Sequence, residues 1–146
     1  VVDEPTISIR SAAPGDAPRV AALLTEEGYP VGPSAVLERL ERFAPPRGRV
    51  VVADVDGEVV GFLALQIVPR FEHDDVLVRI LALVVDPGVR ERGVGHRLVA
   101  EAEEIARQAG AAFVETTVGH HRPEARHLFE SLGYDATVTT YLRHRL

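Results

Sequence analysis

Residues 79–95 read RILALVVDPGVRERGVG. The stretch leaves an apolar run, crosses Asp86-Pro87-Gly88, and arrives at Gly93 and Gly95, flanked by Arg90, Glu91 and Arg92. Its upstream part belongs to VLVRILALVV (76–85), nearly continuous apolar, as expected of a central strand covered on both faces. Downstream, from about Arg92 to Gln108, the period changes. Val94, Leu98, Ala102, Ile105 and Ala109 recur at helical spacing, with Glu101, Glu104 and Arg107 pointing away. Gly110 suits the residue after a helix, and AAFVETTV (111–118) reads as a further strand. A strand, a crossover helix and a strand of this length make a right-handed βαβ unit with parallel strands. The two glycines have a plain reading, a tight strand-to-helix turn. They also have a chemical one: bare backbone N–H groups brought up to a phosphate.

The rest of the chain surrounds this unit. TISIR (6–10) alternates and predicts a short half-buried strand. Asp16 is placed as an N-cap, with Pro18 in the first turn, for a helix striped by Val20, Leu23 and Leu24 and ended at Gly28. Ser34 is placed as the cap of a second helix carrying Val36, Leu37, Leu40 and Phe43, stopped by PPRG (45–48). RVVVADV and EVVGFLALQIV flank Asp56-Gly57, a strong two-residue hairpin signal. RFEHDD (70–75) is a polar loop and GHHR (119–122) another. Pro123 starts a last helix with Ala125, Leu128, Phe129 and Leu132 inward and Gly133 at its end, and YDATVTTYLRHRL favours a final strand or hairpin. The order is β-α-α-β-β-β-α-β-α-β, an α/β (α+β) layer fold with a mixed sheet.

Composition excludes several functions. The 146 residues fit one domain, 1–146, with a real core. Without cysteine there is no disulfide, thiolate metal site or cysteine nucleophile, and no other pair has convincing metal-ligand spacing. No apolar run is long enough for a membrane span. VVDEPTISIR does not read as a signal peptide, so a cytoplasmic location is expected. Sixteen basic against 22 acidic residues give a net charge of −6, which argues against nucleic acid as a partner. The one basic concentration is Arg90, Arg92, His96 and Arg97.

GVGHRL (93–98) does not complete the dinucleotide G-x-G-x-x-G, since Leu98 takes the third glycine's place, and the lysine of a triphosphate-binding loop is missing. Arg90-x-x-Gly93-x-Gly95, after VVDP and before an amphipathic helix, instead resembles the acetyl-CoA signature R/Q-x-x-G-x-G/A of the GNAT N-acetyltransferase superfamily. The two early helices, the hairpin, the motif-bearing helix and the ending ARHLFESLGY (125–134) fall in that family's order over nearly the whole chain. The resemblance implies a seven-stranded sheet whose parallel strands, 76–85 and 111–118, splay into a V-shaped cleft. It implies acetyl-CoA as cosubstrate, its diphosphate on the backbone from Arg90 through Arg92, Gly93, Val94 and Gly95 to His96. Its pantetheine arm would pair with the backbone of Leu83, Val84 and Val85. Gly93→Val and Gly95→Val are both expected to abolish coenzyme A binding in a folded protein.

The implied reaction is direct attack of an amine, on a small molecule or peptide, at the acetyl thioester. A backbone N–H at Val84 or Val85 is the expected oxyanion donor. The familiar tyrosine acid of the last helix falls on Phe129, and the familiar Asn seven residues earlier on Arg122, so Tyr134 or Tyr141 are the hydroxyls left to substitute. Arg79 stands where histone acetyltransferases of the superfamily carry a glutamate base, and arginine does not serve as one. Glu115 is a candidate base or a partner of Arg79; His120 and His121 are candidates or exposed loop residues. Glu72, His73, Asp74 and Asp75 either select a cationic acceptor or form a solvated loop. Tyr29, in GYPVGP (28–33), either lines the acceptor pocket or covers core. Many relatives dimerise, so a homodimer is open. Phe129 also motivates an alternative function, an acyl-CoA-binding sensor or interaction module with little turnover.

Overall fold

The Asp56-Gly57 turn closes as its sequence predicts, with φ of +52° and +89° at its two residues and Gly57 N–H donated to Asp54 Oδ1 at 2.7 Å. It joins β2 (Gly48–Val55) to β3 (Glu58–Pro69). β1 (Ile7–Ser11) pairs antiparallel with β2, β4 (Val76–Val85) antiparallel with β3, and β5 (Ala111–Thr116) parallel with β4. The sheet order is β1-β2-β3-β4-β5. The structure is a computed structural model; it describes residues 6–118, 122–137 and 139–146, with the main chain alone for Arg90 and Glu91. Among the described residues no helix is long and apolar enough to cross a membrane.

Helices cover both faces. α1 (Ala17–Glu27) and α2 (Pro33–Arg42) bury Val20, Leu23 and Val36 against Val52, Phe62 and Val84. α3 (Val94–Gln108) and α4 (Pro123–Ser131) bury Val94, Leu98, Val99, Ala102, Ile105 and Phe129 against Leu63, Leu65, Val78 and Ile80. Gly61 lets α3 come close to the sheet: a Cβ there would lie 3.0 Å from Val84 O and 3.3 Å from side chains of Leu98 and Val94. Ala109, expected on the buried stripe, is exposed.

The expected caps form differently. Asp16, at the end of a 3-10 turn (Pro14–Asp16), does stand at the N-cap of α1, but its side chain makes no bond to the first turn of α1. Its carboxylate turns back to Arg10 Nη1 at 2.8 Å and Ala13 N–H at 2.7 Å, which holds it below the usual carboxylate range, the Arg10 bond first. Ser34 lies inside α2, whose N-cap is Gly32, because Pro33 already begins the first turn.

β4 carries the feature that shapes the site. Ala64 pairs with Ala82 and Leu65 with Ile80, so Leu81 is an extra residue, a β-bulge. Before it, Val78 and Ile80 face α3; after it, Leu83 and Val85 face α3 while Ala82 and Val84 face α1 and α2. The β4–β5 ladder ends at Ile80–Thr116, yet β4 runs on beside β3 to Val85. β5 accordingly ends at Thr116 rather than Val118: past the bulge β4 bends away and leaves residues 117 and 118 without a ladder.

The expected final strand is absent among the described residues, and the sheet has five strands rather than the seven that the family resemblance implied. Alternation makes a strand only where an apolar face finds cover. The tail offers little of one, with Arg143, His144 and Arg145 in succession and Leu142 and Leu146 exposed.

Candidate active site

After Val85 the chain turns at Asp86, whose Oδ1 accepts Gly88 N–H at 2.8 Å and whose Oδ2 accepts from Arg19 of α1 at 2.6 Å. A 3-10 turn (Pro87–Arg92) follows, and Gly93, at φ +77°, swings the chain into α3. The first α3 bond closing on the cap runs from Arg97 N–H to Gly93 O at 3.1 Å. The N–H groups of Val94, Gly95 and His96 precede that bond and have no partner within α3, and they carry the positive end of the helix dipole. Such a terminus binds anions. Arg92 and His96 are exposed beside it, and His96 Nε2 lies 3.4 Å from Ser131 Oγ at the end of α4. The Arg90 side chain lies outside the described residues.

The two glycines do different things. A Cβ at Gly93 would meet nothing within 4 Å, so the approach to the turn is open there. A Cβ at Gly95 would meet Leu128 Cδ2 at 3.1 Å and Val85 Cγ2 at 4.0 Å. Gly95 makes room for α4. The expectation that its missing Cβ clears a diphosphate path is corrected on that ground.

The open edge of β4 leads into this turn. Asp86 N–H donates to Val60 O on β3 at 2.8 Å, and Val84 O lies against Gly61 of the same strand. Backbone groups alternate along a strand. Val84 and Ala82 thus direct their amides to β3, and Leu83 and Val85 direct theirs to the side where β5 has departed. Val84, expected as an oxyanion donor and pantetheine partner, is turned the wrong way; Leu83 and Val85 face the cleft. On the other side of the bulge Ile80 O faces β5 and accepts from Thr116 Oγ1 at 3.2 Å.

At the root of the cleft Arg79 Nε donates to Glu115 Oε1 at 2.9 Å, and Nη2 reaches the same oxygen. Both sit on the α1–α2 face, opposite the face of Val78 and Val114. Tyr134 is elsewhere: its hydroxyl donates to Glu103 Oε2 in mid-α3 at 3.1 Å and its ring meets Phe129 edge-on at 5.1 Å. Burial, then the Glu103 charge, pushes its hydroxyl pKa up. The structure therefore does not bring it to the cradle. His120 and His121 lie outside the described residues. In the 70–75 loop Arg70 binds Asp75 through two bonds of 2.7 Å and stacks on Phe113, so Asp75 is already matched by a cation.

Arg122 has a part that its sequence did not announce. It donates to Glu27 Oε1 at 2.7 Å and to Tyr29 Oη at 3.1 Å, linking the start of α4 to the end of α1. α1 packs on β3 and β4 while α4 follows β5, so the link spans the mouth of the V. A cavity of about 770 Å³ is a different place: it follows the free edge of β5 and the tail, and no residue of β4 lines it.

The family model of the acetyltransferase (GNAT) family matches residues 17–134. The uncharacterized N-acetyltransferase YhfO of Bacillus subtilis is 29% identical over 136 residues, covering 88% of this chain and 90% of that protein. An aminoalkylphosphonate N-acetyltransferase of Salmonella typhimurium is 38% identical over 79 residues, 54% of this chain and 51% of that one. Among solved structures, an aminoglycoside N-acetyltransferase in complex with CoA superposes with a TM-score of 0.86 at 18% identity, covering 99% of this chain and 98% of the other. That last likeness is one of fold.

Proposed function

The chain belongs to the GNAT acetyltransferase family, and from that premise we propose that it moves the acetyl group of acetyl-CoA to an amine of a small molecule or peptide by direct attack. As a member it is an acetyl-CoA-dependent N-acetyltransferase; the residue roles below are this reading's own. One observation carries them: β4 loses β5 at Ile80 but continues to Val85, just before the turn that leads into the N-terminus of α3.

Acetyl-CoA fits that combination. Its diphosphate suits the N–H groups of Val94, Gly95 and His96, with the open approach at Gly93 and the exposed Arg92 beside it. Its pantetheine amides suit the outward backbone of Leu83 and Val85, on the side where the β5 ladder has ended. When bound it supplies an activated acyl thioester.

The chain's own groups then have three tasks. The N–H of Leu83 or Val85 donates to the thioester oxygen as negative charge builds there. Glu115 takes the proton that the amine must shed, since a lysine-like amine has a pKa of about 10.4. Arg79 holds one oxygen of that carboxylate and leaves Oε2 to face the acceptor. A C–N bond forms, the C–S bond breaks, one proton leaves nitrogen and one reaches sulfur. Phe129 offers no hydroxyl, Tyr134 is bound to Glu103 and Tyr141 lines the separate cavity beside β5, so water returns the proton to sulfur. Losing a dedicated acid costs roughly 10²–10⁴ in rate, which leaves positioning to do the rest. The relative that acts on an aminoalkylphosphonate supports an amine acceptor.

The test is thiol release from acetyl-CoA across a broad amine panel, beside calorimetry with coenzyme A. Release that depends on an amine is expected. Tight coenzyme binding with no release for any amine would overturn the reading.

A further inference from the structure

A cavity of about 210 Å³ opens on the α1–α2 face of the sheet. Val20 and Leu24 of α1, Val36 and Leu40 of α2, Phe62 of β3 and the bulge residue Leu81 form its apolar walls. The one charged residue in its lining is Arg39, which is exposed and has no ion-pair partner among the described residues. No carboxylate lines it.

The cavity stands next to the chemistry. Leu81 is where β4 leaves β5, and its side chain is half exposed. Arg79, two residues before it, shares its face and is paired across the strands with Glu115. With a rise of about 3.3 Å per residue and about 4.8 Å between strands, the backbones of Glu115 and Leu81 lie about 8 Å apart. One small molecule spans that distance.

We infer that the acceptor is a monoamine carried on an apolar group, a branched alkyl chain or a single aromatic ring, seated in this cavity with the amine turned to Glu115 and the open edge of β4. The inference rests on the N-acetyltransferase reading. Apolar walls reward an apolar group. A second ammonium in the same cavity would lose its water, find no carboxylate, and face the Arg39 guanidinium. Charge and shape thus select against polycationic acceptors. Glu115 Oε2, with no recorded bond among the described residues, is the counter-charge for the single ammonium before it is deprotonated.

The experiment measures thiol release by the full chain at saturating acetyl-CoA with isoamylamine, phenethylamine, 1,4-diaminobutane and kanamycin. The apolar monoamines are expected to exceed the diamine and kanamycin by about 100-fold in kcat/KM. Ala64→Leu, which fills the cavity from β3, should raise KM for phenethylamine by about tenfold with coenzyme A affinity unchanged. Leu40→Ala, which enlarges it, should shift preference from phenethylamine toward the bulkier tryptamine by about tenfold, and this holds the test open should Ala64→Leu not fold. A preference for the diamine or kanamycin, or cavity variants that leave these ratios unmoved, overturns the inference while acetyl transfer stands. No release with any amine overturns acetyl transfer itself, because coenzyme binding is read separately.

Discussion

Replacing Gly93 and Gly95 one at a time should separate two roles that look alike in sequence. At Gly95 the backbone is helical, and alanine is preferred to glycine there by about 1 kcal/mol. Its new Cβ would meet Leu128 Cδ2 at 3.1 Å, the end of a flexible side chain that can shift by a few tenths of an ångström. The two effects offset, so Gly95→Ala should unfold within about 0.5 kcal/mol of the parent and bind coenzyme A within about twofold. Gly93 is at φ +77°, where a side chain costs about 1–2 kcal/mol. For a chain of this size that lowers the thermal midpoint by about 3–6 °C. Its Cβ would also enter the open space before the α3 N–H groups. Disrupting charge-assisted bonds there costs about 1.5–3 kcal/mol, or about 10–100-fold in affinity. Gly93→Asn distinguishes strain from obstruction, because asparagine tolerates the left-handed region. It should recover stability relative to Gly93→Ala while affinity stays low. Thermal unfolding and calorimetry with coenzyme A read both quantities. Equal loss of affinity in Gly95→Ala and Gly93→Ala, or full affinity in Gly93→Asn, would refute the assignment.

Tyr134→Phe should lose about 1 kcal/mol with the Glu103 bond and keep its kcat for thiol release; a fall of about 100-fold would make Tyr134 the general acid after all. Gly61→Val should cost about 3 kcal/mol in urea unfolding, because its Cβ would press on the Val84 carbonyl as well as on Leu98 and Val94. A cost under about 0.5 kcal/mol would mean that α3 does not need that close approach. Asp16→Asn should cost about 2 kcal/mol at neutral pH through the Arg10 bonds. Folding depresses the Asp16 pKa, so its contribution is present above the unfolded carboxyl value near pH 4 and is lost as pH falls through the folded value. The gap between parent and variant in acid unfolding should therefore close on acidification, and a gap unchanged down to about pH 2 would contradict the pairing.

Much of the fold was legible because its signals are local. Asp56-Gly57 needs only its own φ angles to set the hairpin, and the α3 stripe needs only its spacing. What misled were residues whose role is decided at a distance. Asp16 has the chemistry of a cap, but Arg10 and Ala13 offered its carboxylate better partners. Gly95 matches a phosphate-turn pattern, yet its missing Cβ faces α4, more than thirty positions along the chain. Tyr134 was available as an acid by its hydroxyl alone, and Glu103 claims that hydroxyl. Arg122 was read as the loss of an asparagine, and its gain, a link from α4 to Glu27 and Tyr29, involves residues that pattern reading had no reason to join.

The bulge at Leu81 shows why the site was harder to read than the fold. A strand with one wet face writes its register into an alternation, and a slip of one residue breaks that alternation visibly. β4 is covered on both faces along most of its length, so VLVRILALVV has no alternation to break. The slip left no trace in residue types. Its consequences are nonetheless specific. It moves Leu83 and Val85, and not Val84, to the α3 face and their amides to the cleft. It bends β4 from β5 just past the Arg79–Glu115 pair. It also places Leu81 at the rim of the apolar cavity on the opposite face. One unpaired residue thus decides which backbone groups of β4 face away from β3, and it borders the apolar cavity on the other face, which is why Leu83, Val84 and Val85 could be singled out by sequence together but not told apart.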